Sequence, residues 1–280
     1  MISISPLLEN DIPAALEIQA LSGWNQTAND WKRVLRLEPG GSFGARLNGR
    51  LVGTTTTLNF GRELAWIGMV LVHPDLRGQG LGRRLMETAL EHLRGRGIAS
   101  IKLDATPAGK PLYEKLGFST ELIIERWEGI AMGRASEGAR EARKDFPDSV
   151  RELDRSAFGV DRSAVVSALA DDAHVAPLAI GDDAEPAGFA LARPGLRADY
   201  IGPIVARDAS AALSLLDAMQ ATLEGKRVYM DVNTEFALAD GALAERGLVR
   251  QRELYRMRLG PSTPLGTSPL VMAIAGPELG

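Results

Sequence analysis

The chain has 280 residues, 45% of them apolar, which is enough for a full core and comfortable for two domains. It has no cysteine, which excludes disulfides, thiolate metal ligands and a cysteine nucleophile, and its three histidines lie too far apart in sequence to suggest a metal site. The formal charge is −4, with 15 Lys and Arg against 14 Asp and Glu up to residue 130 and 17 against 22 beyond it, so neither part has the basic stripe that nucleic-acid binding needs.

No run approaches the roughly 20 apolar residues of a membrane span. The N-terminus, MISISPLLENDIPAAL, has no basic region ahead of an apolar run, so no signal peptide is expected and the expected location is the cytoplasm.

Ile2–Ile4 alternates and reads as a first strand. Leu7–Leu21 has helical spacing, and Asp11-Ile12-Pro13 places an N-cap beside a Pro at the first turn. Ser22-Gly23-Trp24-Asn25-Gln26 breaks the chain before a short helix over Asn29–Leu37, which Glu38-Pro39-Gly40-Gly41 ends. Ser42–Leu47 and Leu51–Asn59 read as a hairpin around Asn48-Gly49, a type I′ turn signal.

Trp66–Val72 is an almost unbroken apolar run, short and rich in β-branched residues, as expected of a strand covered on both faces. His73-Pro74-Asp75 stops it. Gly78, Gly80 and Gly82 follow at every second position, and helical spacing resumes over residues 80–94. Such a loop leaves backbone N–H groups uncovered at the positive end of a helix, a cradle suited to a pyrophosphate. Ser100–Ala105 reads as a strand, Pro111–Leu116 as a helix and Glu121–Glu128 as a closing strand, giving a mixed sheet with helices on both faces.

The polar stretch Met132–Lys144 reads as a linker or an exposed helix. Beyond it the same plan recurs. Val150–Leu169 is helical, Pro177–Ile180 and Gly188–Ala192 form a hairpin, and Asp199–Ala206 is a buried strand. Ala209–Leu223 is a helix, Arg227–Val232 a strand and Phe236–Arg246 a helix ending at Gly247-Leu248. Ile67-Gly68 matches Ile201-Gly202, Leu103-Asp104 matches Met230-Asp231, and Gly117-Phe118 matches Gly247-Leu248, a weak internal repeat. The second copy replaces the glycine loop with Arg207-Asp208-Ala209-Ser210-Ala211-Ala212, whose Cβ atoms would crowd a phosphate, so it is not expected to bind the same ligand strongly. After Gly260-Pro261 comes a Pro/Ser/Thr/Gly-rich stretch, then Leu270–Ala275, expected as a last strand docked on the second copy.

Which phosphate ligand the glycine loop holds is open to three readings. A P-loop requires a Gly-Lys-Ser/Thr that is absent. A dinucleotide fingerprint requires its third glycine one position later, where Arg83 stands, although Asp104 falls near the place of a ribose-binding acid, so a nicotinamide- or flavin-binding protein remains the alternative. The third reading follows from Arg77-Gly78-Gln79-Gly80-Leu81-Gly82. This segment resembles the R-x-x-G-x-G loop of the GNAT acyltransferases, and the strand before it and Leu112-Tyr113-Glu114-Lys115-Leu116-Gly117-Phe118 after it resemble the same superfamily in the same order.

The resemblance implies an α/β (α+β) protein of two tandem GNAT-like domains, each a mixed, largely antiparallel sheet flanked by helices. Residues 1–130 would be an acetyl-CoA-binding acetyltransferase domain, 131–145 a linker and 146–280 a divergent copy with a C-terminal tail. It implies transfer of an acetyl group from acetyl-CoA to a small-molecule amine, with no metal and no nucleic-acid or membrane partner, by a monomer or homodimer. Val70, Leu71 and Val72 would face the pantetheine arm, an N–H near Val70 would steady the oxyanion, and Arg77, Gly78, Gln79, Gly80, Leu81, Gly82 and Arg83 would hold the pyrophosphate. Tyr113 stands where related enzymes protonate the departing thiolate, and Trp24 and Asn25 fall in the region that lines the acceptor pocket. Asp104, at a strand end, either serves as the base or caps the next turn. A non-catalytic acetyl-CoA-binding sensor or assembly module is the other reading of the same motifs.

Overall fold

The computed structural model describes residues 2–261, 266 and 268–280. The first half runs β1 (Ile2–Pro6), α1 (Ile12–Ala20), α2 (Ala28–Leu37), β2 (Phe43–Leu47), β3 (Arg50–Phe60), β4 (Leu64–Val72), α3 (Leu81–Gly95), β5 (Ser100–Ala105), α4 (Lys110–Lys115) and β6 (Ser119–Ile130). The second runs β7 (Arg140–Glu141), α5 (Asp148–Phe158), α6 (Ser163–Asp172), β8 (Leu178–Gly181), β9 (Pro186–Arg193), β10 (Asp199–Ala206), α7 (Ala209–Thr222), β11 (Arg227–Asn233), β12 (Leu248–Leu259) and β13 (Val271–Ala273).

The expected hairpin forms because Asn48 and Gly49 take positive φ, 51° and 83°, as a type I′ turn requires. The single helix expected over 150–169 is two: Gly159, at φ +99°, ends α5 in a left-handed cap. The helix expected over 236–246 is reduced to one 3-10 turn, Ala244–Arg246, because Gly241 at φ +80° interrupts it. The expected linker carries the edge strand β7, which pairs with β8. Residues 262–265 and 267 of the Pro/Ser/Thr/Gly-rich stretch lie outside the described residues.

The described strands form one sheet, in the order β1-β2-β3-β4-β5-β12-β6-β11-β13-β10-β9-β8-β7. The last long strand of each half leaves its own half. β12 pairs with β5 of the first half, and β6 pairs with β11 of the second, while β6 and β12 pair antiparallel along their length. The exchange is reciprocal in detail: β6 bulges at Glu121 and β12 at Gln251. Asp104 on β5 is gripped by Arg256 of β12 through two hydrogen bonds of 2.9 Å, and Asp231 on β11 by Arg126 of β6 at 2.7 and 2.5 Å. Both carboxylates are fully buried, so each guanidinium neutralises a charge that would otherwise be stranded in the sheet.

The hydrophobic core mixes the halves. Trp31, Trp66 and Ile124 pack in one cluster with Phe158, Phe189 and Leu254. A second cluster lies between α7 and β9–β11, and a third between α3 and β4–β5. Across the core, Asp30 of α2 binds Arg33 at 2.7 Å and Arg193 of β9 at 3.1 Å. Burial alone would raise the Asp30 carboxyl, but the Arg193 and Arg33 guanidiniums hold it below the ordinary value.

Removing one partner of such a pair leaves an uncompensated buried charge. Arg126→Met should therefore destabilise the chain by about 3–5 kcal/mol in denaturant unfolding, and Arg126→Met with Asp231→Leu should recover most of it. A single variant costing under about 1 kcal/mol, within the range of an exposed pair, would show that the exchanged strands do not depend on the pair.

Candidate active site

β4 and β5 run side by side only through Leu64–Trp66 and Ser100–Lys102, then diverge. At the divergence β4 carries a bulge: Thr54 and Thr56 of β3 face Leu71 and Gly68, so Met69 and Val70 leave the ladder. Met69 is held at φ +48°, unusual for a bulky residue, and its carbonyl accepts a 2.7 Å bond from the Thr54 hydroxyl. Bulges of this kind redirect backbone groups at the edge of an opening.

The opening leads to a groove of about 840 Å³ bordered by Val70–Val72, the loop 76–83 and α4. At its far end α3 begins. Gly78 and Gly80 take φ +73° and +77°, and a Cβ built on either meets nothing within 4 Å. The N–H groups of residues 78–83 make no well-aligned hydrogen bond among the described residues. Amides without a well-aligned partner, at the start of a fifteen-residue helix, fit a diphosphate. Arg83 is half exposed and pairs with Glu87 at 2.8 Å. Arg77 is braced, donating to the Val72 carbonyl at 3.1 Å and the Ser22 hydroxyl at 3.0 Å, and Gln79 donates to the Asp75 carbonyl at 3.1 Å.

The other end of the groove opens into a cavity of about 110 Å³, and Trp24, Val70, Thr106, Gly109, Tyr113 and Arg252 border both. Tyr113 is buried, its hydroxyl has no partner among the described residues, and burial pushes its pKa well above the ordinary phenol value. It therefore stays protonated at physiological pH, as a proton donor must. Asp104 borders the cavity; each of its oxygens accepts one bond from Arg256, and it makes no bond to the next turn among the described residues. Burial raises its carboxyl pKa, and Arg256 offsets part of the rise.

Asn25 is not placed to meet an acceptor. Its amide nitrogen donates to the Ala198 carbonyl at 2.9 Å and its oxygen accepts from the Arg197 and Ala198 N–H groups, so it fastens the loop before β10. Its neighbours Trp24 and Gln26 line the cavity instead. Gln26, Arg126, Arg252 and Glu278 complete the lining, and sequence reading found none of them. Glu278 comes from beyond β13, where its carboxylate accepts from Arg193 at 2.9 Å and Gln26 at 2.7 Å, and the preceding Pro277 carbonyl accepts from the Trp66 indole at 2.9 Å.

The matching place in the second half is closed. β10 and β11 pair only through Asp199–Tyr200 and Val228–Tyr229, and β13 fills the gap where they part, setting Ala273 against both Ile204 and Val232. At the start of α7 the Asp208 carboxylate accepts the Ala211 N–H at 2.8 Å, so the chain's own anion occupies the helix terminus.

An "Acetyltransferase (GNAT) family" model matches residues 9–118, and an "Acetyltransferase (GNAT) domain" model matches residues 150–270. The chain is 26% identical over 253 residues to the uncharacterized N-acetyltransferase YitH of Bacillus subtilis, covering 88% of each. It is 27% identical over 264 residues to the holothin acyltransferase of a Pseudoalteromonas species, covering 92% of this chain and 87% of that protein. A putative acetyltransferase from Pyrococcus horikoshii, of known crystal structure, shares the fold with a TM-score of 0.85 and 24% identity, covering 100% of this chain and 96% of that one. Among the described residues no helix is long and apolar enough to cross a membrane.

Gly82 lies in the first turn of α3, where a Cβ would sit 3.5 Å from Leu112 and 3.7 Å from Val72, an ordinary packing distance. Gly82→Leu should leave the thermal midpoint within a few degrees and weaken acetyl-CoA binding at least about tenfold in calorimetry, the loss of about 1.4 kcal/mol. Unchanged affinity would place the ligand elsewhere. The same titration should saturate at one acetyl-CoA per chain, and two would contradict the closure of the second half.

Proposed function

The chain belongs to the GNAT acetyltransferase family, and on that premise we propose that its first half transfers an acetyl group from acetyl-CoA to the primary amine of a small molecule, in a cytoplasmic enzyme and by direct attack in a ternary complex. The observation that supports this most is the continuous path from the bare amides of 78–83, along the diverging edge of β4, to a cavity bordered by Tyr113 and Asp104. When bound, the donor supplies a thioester: a C–N bond forms to the amine, the C–S bond breaks, the amine gives up a proton and the sulfur gains one.

The protein's part is positional and electrostatic. Residues 78–83 hold the diphosphate by backbone donation, with Arg77 and Arg83 beside it. The freed edge of β4, Gly68–Val72, offers backbone groups to the amide-bearing arm as an added strand would. A Val70 N–H released from the ladder by the bulge steadies the negative charge that grows on the thioester oxygen. Tyr113 gives its proton to the leaving sulfur. Asp104, made more basic than an ordinary aspartate by burial, takes the proton from the amine directly or through water. The second half closes the acceptor side through Arg252, Pro277 and Glu278 and binds no donor of its own.

Tyr113→Phe tests the assignment. Release of coenzyme A with an accepted amine should slow by about 100-fold or more, while the KM for acetyl-CoA stays within about threefold. Equal losses in both would remove Tyr113 from the proton transfer. Tight acetyl-CoA binding with no transfer to any amine would instead favour the non-catalytic module.

A further inference from the structure

Two polar atoms of opposite character lie buried and unbonded in residues that border the cavity. One is the Nε of Arg252, a donor, and the other the Oε1 of Gln26, an acceptor. Neither has a partner among the described residues. A buried polar atom left unpaired is costly, and a guanidinium more so. Folding alone gives no return for either.

The charges around the cavity sharpen the contrast. Arg126 is matched by Asp231, Asp104 by Arg256, and Glu278 by Arg193. Among the described residues Arg252 alone of the charged groups lining the cavity has no ion-pair partner. Burial and the neighbouring Arg126 both work against its charge. Nor is Arg252 needed by the strand exchange. The relation that superposes Gly117 on Gly247 superposes Arg126 on Arg256 and the bulge at Glu121 on that at Gln251, and it sets Leu122 against Arg252. The first-half counterpart of this charge is a leucine.

We infer that the acceptor is an amine that also carries an anionic group such as a carboxylate, with Arg252 binding the anion and Gln26 Oε1 receiving an N–H of the amine. This rests on the transferase reading above. The amide nitrogen of Gln26 is committed to Glu278, which leaves Oε1 as the end of the amide without a partner. The cavity, at about 110 Å³, suits a small amine-bearing head group. Arg252 also borders the groove, so its side chain stands where the cavity meets the groove.

The test uses the full chain, acetyl-CoA labelled in its acetyl group and the low-molecular-mass fraction of a bacterial extract, with labelled products identified by mass spectrometry. The expected product is an N-acetyl compound bearing a carboxylate or another acid group, and a labelled product without one overturns the inference. With the identified acceptor and its carboxamide analogue as probes, Arg252→Glu should lower kcat/KM for the acid by at least about 100-fold and bring the two probes close together, and Arg252→Lys should restore much of the preference. Equal loss on both probes, or a loss confined to the KM for acetyl-CoA, assigns Arg252 elsewhere and also overturns it. Acetyl-CoA binding without any labelled product removes the transferase reading itself, whereas transfer to an uncharged amine removes only this inference.

Discussion

Asp104 and Asp231 are each neutralised by a guanidinium that arrives on a strand from the opposite half of the chain. A carboxylate buried in a sheet demands a partner, and here the partner comes only if β6 and β12 cross over. Once they cross, two lesser sheets become one, the core is shared, and the end of the chain is drawn through the centre of the molecule. The cavity inherits its composition from that crossing: β4 and α4 bring one wall, while Arg126, Arg252 and Glu278 arrive from exchanged or threaded segments.

The two halves then differ by what fills the gap between their parallel strands. In the first, β4 parts from β5 beyond Trp66, where a bulge at Met69 and Val70 also breaks its register with β3, beside the uncommitted helix amides. In the second, β13 takes the free edge and Asp208 takes the Ala211 amide at the head of α7. The same geometry stays open in one copy and is filled by a brace in the other. The brace continues past β13 into Pro277 and Glu278, which the Trp66 indole and Arg193 hold against the first half. Closing one site thus helps to shape its neighbour.

Local chemistry was legible in the sequence wherever a few adjacent residues decide the outcome. Asn48-Gly49 announces its hairpin, Gly78 and Gly80 announce an uncovered turn, and the apolar run of β4 announces a covered strand. The repeat was visible too, and Leu103-Asp104 against Met230-Asp231 proves to be the pair that anchors the exchange. The exchange itself was not legible, because an alternating pattern marks a strand without naming its neighbour. Gly159 and Gly241 each overrode a helical pattern by taking a positive φ that periodicity does not weigh. Asn25 has the right place in the chain for an acceptor residue, yet contacts some 170 positions away claim its amide. Arg252 and Glu278 carry no local signal at all, since only the folded sheet brings them to Tyr113.

If the amides ahead of α3 and the open edge of β4 take the donor, the equivalent place in the second half, already filled, does not. Amide hydrogen exchange with and without acetyl-CoA reads both places in one experiment. Exchange should slow in peptides covering 67–72 and 78–84 and stay unchanged in those covering 201–212 and 228–233. Protection at the head of α7, or none at the head of α3, would contradict the account.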